Sequence, residues 1–558
     1  MGRAAANEVT RAQSWQALRA AFRWQLPARY NIARDMCEKW AEAEPDRLAL
    51  VCLRPDWEVR NYSFAQLSRA SNRFANALVE HGIGRGDRVA VLLPQVPETI
   101  LAHLATYKLG AVALPLFTLF GEEGLEYRLS DSGAKALVTD EANLPKVNAI
   151  RERLPQLRTV FSIDRPGPGA WGFWQELGKA RDSFEMADTG PEDPAFICYT
   201  SGTTGPPKGA LHAHRVLLGH LPAVQVTHEF LPQAGDRMWT PADWAWMGGL
   251  CNVAMPSLRF GVPLVAHRME KFDPEKAFDL MARMQVRNTF LPPTALKMMR
   301  TVPDPGRFGV KLRSVGSGGE SLGAEVLEWG KGALGLTINE FYGQTECNLV
   351  VGNCASIMQV RPGSMGKAFP GSEVAILDSE GNEVPPGETG EIAVKRGDAA
   401  MFLEYWGLPE KTAEKFASNP SGEWMRTGDE GVMDAEGYFW FASRTDDVIT
   451  SSGYRIGPSE IENCLTGHPA VAMAACVGIP DPVRTEIVKA YVVPAPGQEA
   501  SQALAAELVA HVRQRLSPHV APRAVEFIEQ MPTTATGKIM RRELRARETG
   551  GRENGDKA

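Results

Sequence analysis

The sequence predicts an α/β protein built as a large doubly wound α/β unit followed by a small α+β unit. Three observations predict it. Short apolar runs rich in Val and Ile alternate with segments of helical period, the pattern of βαβ units around a largely parallel sheet. After Arg444 the elements become shorter and fill a unit of about 100 residues. The chain of 558 residues also exceeds what one hydrophobic core organises.

The elements follow in order. The run VAVLL at 89–93 reads as a buried strand, Pro97 opens a helix that stops at Gly110, and 112–116 resumes a strand. FICYT at 196–200 reads as a strand running into a loop, with helical period from about His214. Downstream, 262–266 is a strand, Asp273 and Pro274 form an N-cap and first-turn pair, and 286–290 is the next strand. Doubly wound α/β is expected to about residue 440. The small unit is expected to hold a helix near 459–465, strands near 471–477 and 487–493, a helix at 501–516 and a strand near 524–528. The expected domains are therefore 1–445 and 446–545, with a polar tail at 546–558.

Composition narrows the function. Sixty Lys plus Arg against 67 Asp plus Glu give a net charge of -7, which points away from a nucleic-acid binder and toward a small diffusible substrate. Eight scattered cysteines with no C-x-x-C pair predict reduced thiols rather than a zinc site or a disulfide framework. The first residues lack the apolar core of a signal peptide, Ala6 stands where a myristoylation signal needs Ser or Thr, and no apolar run approaches the ~18 residues of a bilayer span. A soluble cytoplasmic protein is the expectation.

Chemistry concentrates in the segment YTSGTTGPPKG at 199–209. Glycines let backbone amides approach a phosphate, Ser201, Thr203 and Thr204 add hydroxyl donors, and Lys208 adds positive charge. The loop reads as a polyphosphate cradle. It is not a P-loop, because Pro207 precedes Lys208 and Gly209 follows it. It closely resembles the signature of the adenylate-forming superfamily, which includes acyl-CoA synthetases, luciferases and peptide-synthetase adenylation domains. Further family motifs follow in the expected order: GGES at 318–321, YGQTE at 342–346, TGD at 427–429, SRTDDVITSSGYRIGPSEIE at 443–462 and PTTATGKIMR at 532–541. The resemblance runs from about residue 30 to 545 and is nearest to acyl-CoA synthetases of the acetyl- and medium-chain type.

The resemblance implies the adenylate-forming fold with a mobile small domain, the substrates ATP, CoA and a carboxylic acid, and Mg²⁺ as cofactor. It assigns Thr200, Ser201, Gly202, Thr203, Thr204 and Lys208 to the polyphosphate. Thr345 would contact the α-phosphate and Glu346 would hold Mg²⁺, a hard cation that takes oxygen ligands. Tyr342 would stack on adenine in a pocket lined by Gly318, Gly319 and Glu320, with Gly343 and Gln344 in the same nucleotide segment. Asp429 would accept both ribose hydroxyls, a task for a bidentate acceptor, with Arg444 beside it. Asp446 would be the hinge, and Lys538 would bridge acyl carboxylate and α-phosphate. Gly453 would let pantetheine pass while Arg455 meets phosphate. Trp244, Trp246, Met247 and Gly248 fall where family members line the acyl site. Gly343 replaces the tryptophan that closes the pocket of acetate-specific relatives, and so is expected to admit longer or aryl acids. Loading of a carrier protein, or a catalytically silent nucleotide-binding relative, remain the alternatives.

Overall fold

Three sheets organise the chain. The structure is a computed structural model and describes residues 7–54, 57–200, 206–269, 271–320, 322–444, 447, 449–451, 454–481, 484–516, 520–534 and 538–550. The largest sheet has fourteen strands. Its parallel part runs Leu48–Leu53, Leu264–Ala266, Met238–Trp239, Asn288–Phe290, Ser314–Gly318 and Asn339–Gln344, in that spatial order. A second sheet of eight strands is parallel through Pro194–Tyr199, Val112–Pro115, Arg88–Leu92, Ala136–Thr139 and Thr159–Ser162. Helix Pro97–Lys108 connects two of these strands, as its proline start predicts. That helix and Val216–Thr227 are buried on almost every face, and both contribute to a hydrophobic cluster that joins the first two sheets. Asp273 caps its helix as expected, accepting from Lys276 N at 3.0 Å.

The doubly wound pattern ends sooner than residue 440. From Asn348–Gly352 onward the first sheet continues through antiparallel pairs that take in Gly366–Ala368, Tyr438–Arg444, Gly422–Met433, Thr389–Lys395 and Val374–Leu377. Strand Gly422–Met433 alternates buried and part-exposed positions, as an antiparallel strand with one wetter face does.

A second difference concerns the loop at 200–208. Strand Gly209–Ala213, absent from the sequence expectation, follows it and pairs antiparallel with Pro194–Tyr199. All five residues of Gly209–Ala213 are buried, which erases the alternation that would have marked them as a strand.

The third sheet has five strands, Tyr454–Ile456, Ile449–Ser451, Thr485–Pro494, Val471–Asp481 and Ala524–Phe527. Helices Pro458–Thr466 and Gln502–Arg515 pack on it around Ile461, Leu465, Leu508 and Val512. Every element expected after Arg444 is present. The eight cysteines are free thiols, six of them buried. Among the described residues no helix is long and apolar enough to cross a membrane.

One core residue makes folding pH-dependent. Glu340 lies in the strand Asn339–Gln344, fully enclosed; one carboxyl oxygen accepts from Leu322 N at 3.1 Å and the other is buried with no partner. Burial pushes its pKa up to about 8. The folded chain therefore holds a proton there that the unfolded chain releases near the ordinary glutamate value, and stability falls as pH rises from about 4.5 toward 8. Glu340→Gln, which mimics the protonated acid, is expected to flatten that fall and to stabilise the protein at pH 8 relative to pH 5. The gain should be on the order of a few kcal/mol, read by denaturant unfolding at the two pH values.

Candidate active site

The hairpin after Asn339–Gln344 presents the chemistry. Its partner strand starts at Asn348, so Thr345, Glu346 and Cys347 form a three-residue turn at the carboxyl end of the parallel strands, where open α/β sheets bind ligands. Asn348 closes the turn with φ +53°, a left-handed conformation that asparagine tolerates. Thr345 is half-buried and Glu346 buried.

Around Glu346 the structure assembles a cation and a phenol. Strand Glu404–Tyr405 pairs with Gly209–Ala213, setting Tyr405 opposite Ala210. There the Tyr405 hydroxyl donates to Glu346 Oε1, and the Lys208 ammonium lies 4.6 Å from the centre of the Tyr405 ring. Burial lowers the Lys208 pKa while the Glu346 charge opposes that shift. Lys208 also closes the loop: its carbonyl accepts from Thr200 N at 2.9 Å. Tyr405 has no counterpart in the sequence reading. No motif marks it, because only pairing of two short strands far apart in sequence brings it to Glu346.

A second cluster gathers on the same hairpin. Tyr342 Oη donates to Asp429 Oδ2 at 2.7 Å, and Gln344 Nε2 donates to the same oxygen at 2.6 Å and to the Thr427 carbonyl at 2.9 Å. Three strands lie between these residues in the sheet order, so the antiparallel part curls to bring Asp429 back over Tyr342. Burial and the adjoining Asp429 charge hold the Tyr342 phenol well above its ordinary pKa. The Thr427-Gly428-Asp429 turn is itself clamped. Glu391 accepts from Gly428 N at 2.7 Å and pairs with Arg426, while Thr427 Oγ1 donates to the Ile392 carbonyl at 2.6 Å and accepts from Asp429 N at 3.1 Å. Sequence reading missed Glu391 too, since a lone glutamate in an alternating strand carries no signal. Arg444 stands opposite Asp429 in the antiparallel register.

Strand Ser314–Gly318 ends beside this hairpin. A Cβ at Gly318 would meet the Phe341 ring at 2.5 Å, so glycine permits the close crossing. Gly319 follows with φ +98° and lies against Trp246, and Glu320 accepts from Thr294 Oγ1 at 3.2 Å.

Two expectations for the acyl pocket change. Trp244 is 1% exposed and, like buried Met247, belongs to the central core, so neither presents surface to a solvent-filled cavity. Trp246 is the half-buried one. It lies 5.6 Å from Phe290, centre to centre, and covers both Gly319 and Gly248. Gly343 is not an open wall either: a Cβ built there would overlap the Asn348 carbonyl across the tight hairpin. Glycine is needed at 343 because the backbone leaves no room for any side chain.

Lys538 is exposed in a hairpin closed by Thr534 N to the Lys538 carbonyl at 2.7 Å and by Lys538 N to Thr534 Oγ1 at 3.1 Å. Arg455 lies opposite Thr450 in the third sheet. Ser201, Gly202, Thr203, Thr204, Asp446 and Gly453 lie outside the described residues, as do the side chains of Arg444 and Arg455.

The chain is similar to known proteins along nearly its whole length. Residues 37–406 match the family model of the AMP-binding enzyme, and residues 460–538 match that of the AMP-binding enzyme C-terminal domain. The chain is 36% identical over 550 residues to the mitochondrial acyl-coenzyme A synthetase ACSM3 of Mus musculus, covering 96% of this chain and 93% of that protein. It is 35% identical over 526 residues to the acetyl-coenzyme A synthetase of Bacillus subtilis (strain 168), covering 92% and 90%. Among solved structures, the anthranilate CoA ligase AuaEII in complex with anthranoyl-AMP superposes with a TM-score of 0.86 at 29% identity, over 95% of this chain and 99% of that one. With both family models matched in order, the chain belongs to the AMP-binding enzymes, the adenylate-forming family of AMP-forming acid-thiol ligases.

Proposed function

We propose that this chain is an ATP-dependent, AMP-forming acyl-CoA synthetase for short- to medium-chain or aromatic carboxylic acids, working in the cytoplasm on fatty or aryl acids. The observation that carries the reading is the pair of clusters on one hairpin, Lys208, Tyr405 and Glu346 beside Tyr342, Gln344 and Asp429. In the first step an oxygen of the acid attacks the α-phosphorus of ATP and pyrophosphate leaves. In the second, the CoA sulfur attacks the acyl carbonyl of the adenylate, its proton is lost and AMP leaves. A carboxylate is a poor electrophile because its leaving group is poor, and AMP replaces that group.

The chain's own residues position and neutralise charge. Lys208 faces the polyphosphate, Asp429 holds the ribose, and Tyr342 with Gly318, Gly319 and Glu320 forms the adenine wall. Thr345 contacts the α-phosphate, and Lys538 supplies positive charge to the acyl and α-phosphate oxygens. Glu391 acts through the Thr427-Gly428-Asp429 turn that it clamps. Mg²⁺ suits a lone buried carboxylate such as Glu346, because this ion keeps waters and takes substrate phosphate oxygens as its other ligands; when bound, it supplies charge neutralisation. Residues 1–445 form the nucleotide- and acyl-binding domain, 446–545 turn about Asp446, and 546–558 are a polar tail.

Tyr405→Phe keeps the ring under Lys208 and removes the donor to Glu346. The variant is expected to lower kcat/KM for adenylation about tenfold and to raise the Mg²⁺ concentration giving half-maximal rate, the scale for losing one hydrogen bond to a charged group. Initial rates across a Mg²⁺ titration check it.

The function itself is tested by pyrophosphate release over straight-chain acids from acetate to decanoate and over substituted benzoates, with and without CoA. Acid-dependent release with a thioester product supports the reading. Release with no thioester in the presence of CoA would redirect it to a carrier protein as acceptor, and no release with any acid would make the chain a silent nucleotide binder.

A further inference from the structure

The opposite edge of the first sheet carries a second concentration of charge. Five neighbouring parallel strands begin there, and four of them start directly after an arginine: Arg47 before Leu48–Leu53, Arg237 before Met238–Trp239, Arg287 before Asn288–Phe290 and Arg313 before Ser314–Gly318. Three of these arginines are locked in register. Arg287 N donates to the Arg237 carbonyl at 3.0 Å, and Arg313 N donates to the Arg287 carbonyl at 2.6 Å. Adjacent strands stand only about 4.8 Å apart, so Arg237 and Arg287 stand side by side at the sheet edge, and both line one cavity.

Their neutralisation is uneven. Arg313 is fully engaged by the buried Asp236 in a two-point pair at 2.8 and 2.7 Å. Arg47 pairs with Glu44 and lies 4.2 Å over the Trp40 ring. Arg237 and Arg287 have no such partner among the described residues. Arg237 reaches only the Met284 carbonyl, and Arg287 Nε is buried with no acceptor. Both line a cavity of about 730 Å³ together with Arg47 and Lys311, the last an exposed lysine. The one carboxylate in that lining is Asp236, already spent on Arg313. A volume of this size suits a small-molecule ligand.

We propose that this cavity, at the sheet edge remote from the Glu346 hairpin, is a second anion site that takes a compact phosphate-bearing ligand. Arg237 and Arg287 present two planar forks that match phosphate oxygens, and Lys311 adds a point charge at the rim. A single carboxylate would answer one fork and leave the other unmatched. A phosphate ester or diphosphate carries both the oxygens and the charge for two. Burial lowers the Arg237 pKa with nothing to compensate, which accords with a group that lacks its counter-charge. The inference stands apart from the adenylation reading, since none of these residues belongs to the site at the carboxyl edge.

Sodium pyrophosphate without Mg²⁺, titrated calorimetrically at low ionic strength, is the probe, with hydrogen exchange to locate the binding. The wild type is expected to show protection at 232–238 and 284–288. Lys208→Ala, which weakens any pyrophosphate binding at the carboxyl edge, should keep that protection. Arg237→Gln with Arg287→Gln should weaken this binding at least thirtyfold while pyrophosphate release from ATP and acid continues. Ala234→Glu, an exposed rim position in the same lining, should weaken it about tenfold without touching either arginine, and decides the matter if the double variant does not fold. Protection confined to the segments around Lys208, or binding unchanged in both Ala234→Glu and the double variant, overturns the proposal.

Discussion

Lys538→Ala is expected to cut acyl-adenylate formation by about a hundredfold or more while supplied acyl-AMP and CoA still yield thioester at close to the normal rate. The reason is chemical. A lysine that offsets charge on the acyl and α-phosphate oxygens has no task once the adenylate exists. The structure adds why the substitution should be clean. Lys538 is exposed, whereas the segment that carries it is anchored by Arg541, which pairs with Glu462 at 2.6 Å and with Asp447 at 3.3 Å, while Arg545 reaches Asp447 at 2.7 Å. These pairs hold the Arg541 guanidinium above its ordinary pKa despite its burial. They tie the segment to Asp447, so a turn about the proposed hinge at Asp446 would carry Lys538 with it. A cleft of about 990 Å³ is lined by Arg426 and Trp440 on one side and by Gly457 and Asn463 on the other. Gly453→Leu should show the converse defect, obstructing pantetheine while leaving ATP and acid untouched. Assay of both half-reactions for both variants checks this. Equal losses in the two steps would mean damage to folding or docking and would remove the alternation model.

Substitution of Gly343 is expected to fail for a backbone reason. Gly343→Ala must separate the two strands of the hairpin that carries Thr345 and Glu346, because its Cβ overlaps the Asn348 carbonyl, a group that cannot rotate away as a side chain could. The expected cost is about 1–3 kcal/mol of stability, with kcat/KM falling by a similar factor for every acid. Gly343→Trp should be worse and should leave the chain-length profile unchanged. A variant that stays stable and shifts preference toward acetate would restore Gly343 as a pocket wall. Denaturant unfolding together with rates for acetate and octanoate distinguishes the two outcomes.

How much of this was legible beforehand depended on the kind of signal. Asp273 with Pro274 and the elements after Arg444 announce themselves through local preference, which a stretch of chain expresses wherever it lies. The strand Gly209–Ala213 did not, because a run buried on both faces looks like any apolar run. The early end of the parallel pairing was visible only as alternation in strands such as Gly422–Met433, whose partners cannot be named from the strand itself.

By itself the sequence determined the α/β class and the order of the motifs, since each rests on residue type and short spacing. Tertiary structure alone decided which groups meet. Tyr405 reaches Glu346 across 59 residues, Asp429 reaches Tyr342 across 87, and Arg237 stands beside Arg287 through strand order. It also decided that Gly343 serves the hairpin and Trp244 the core. These outcomes depend on pairing and close packing between distant segments, where the room at a site is set by atoms that its own neighbours in sequence do not supply.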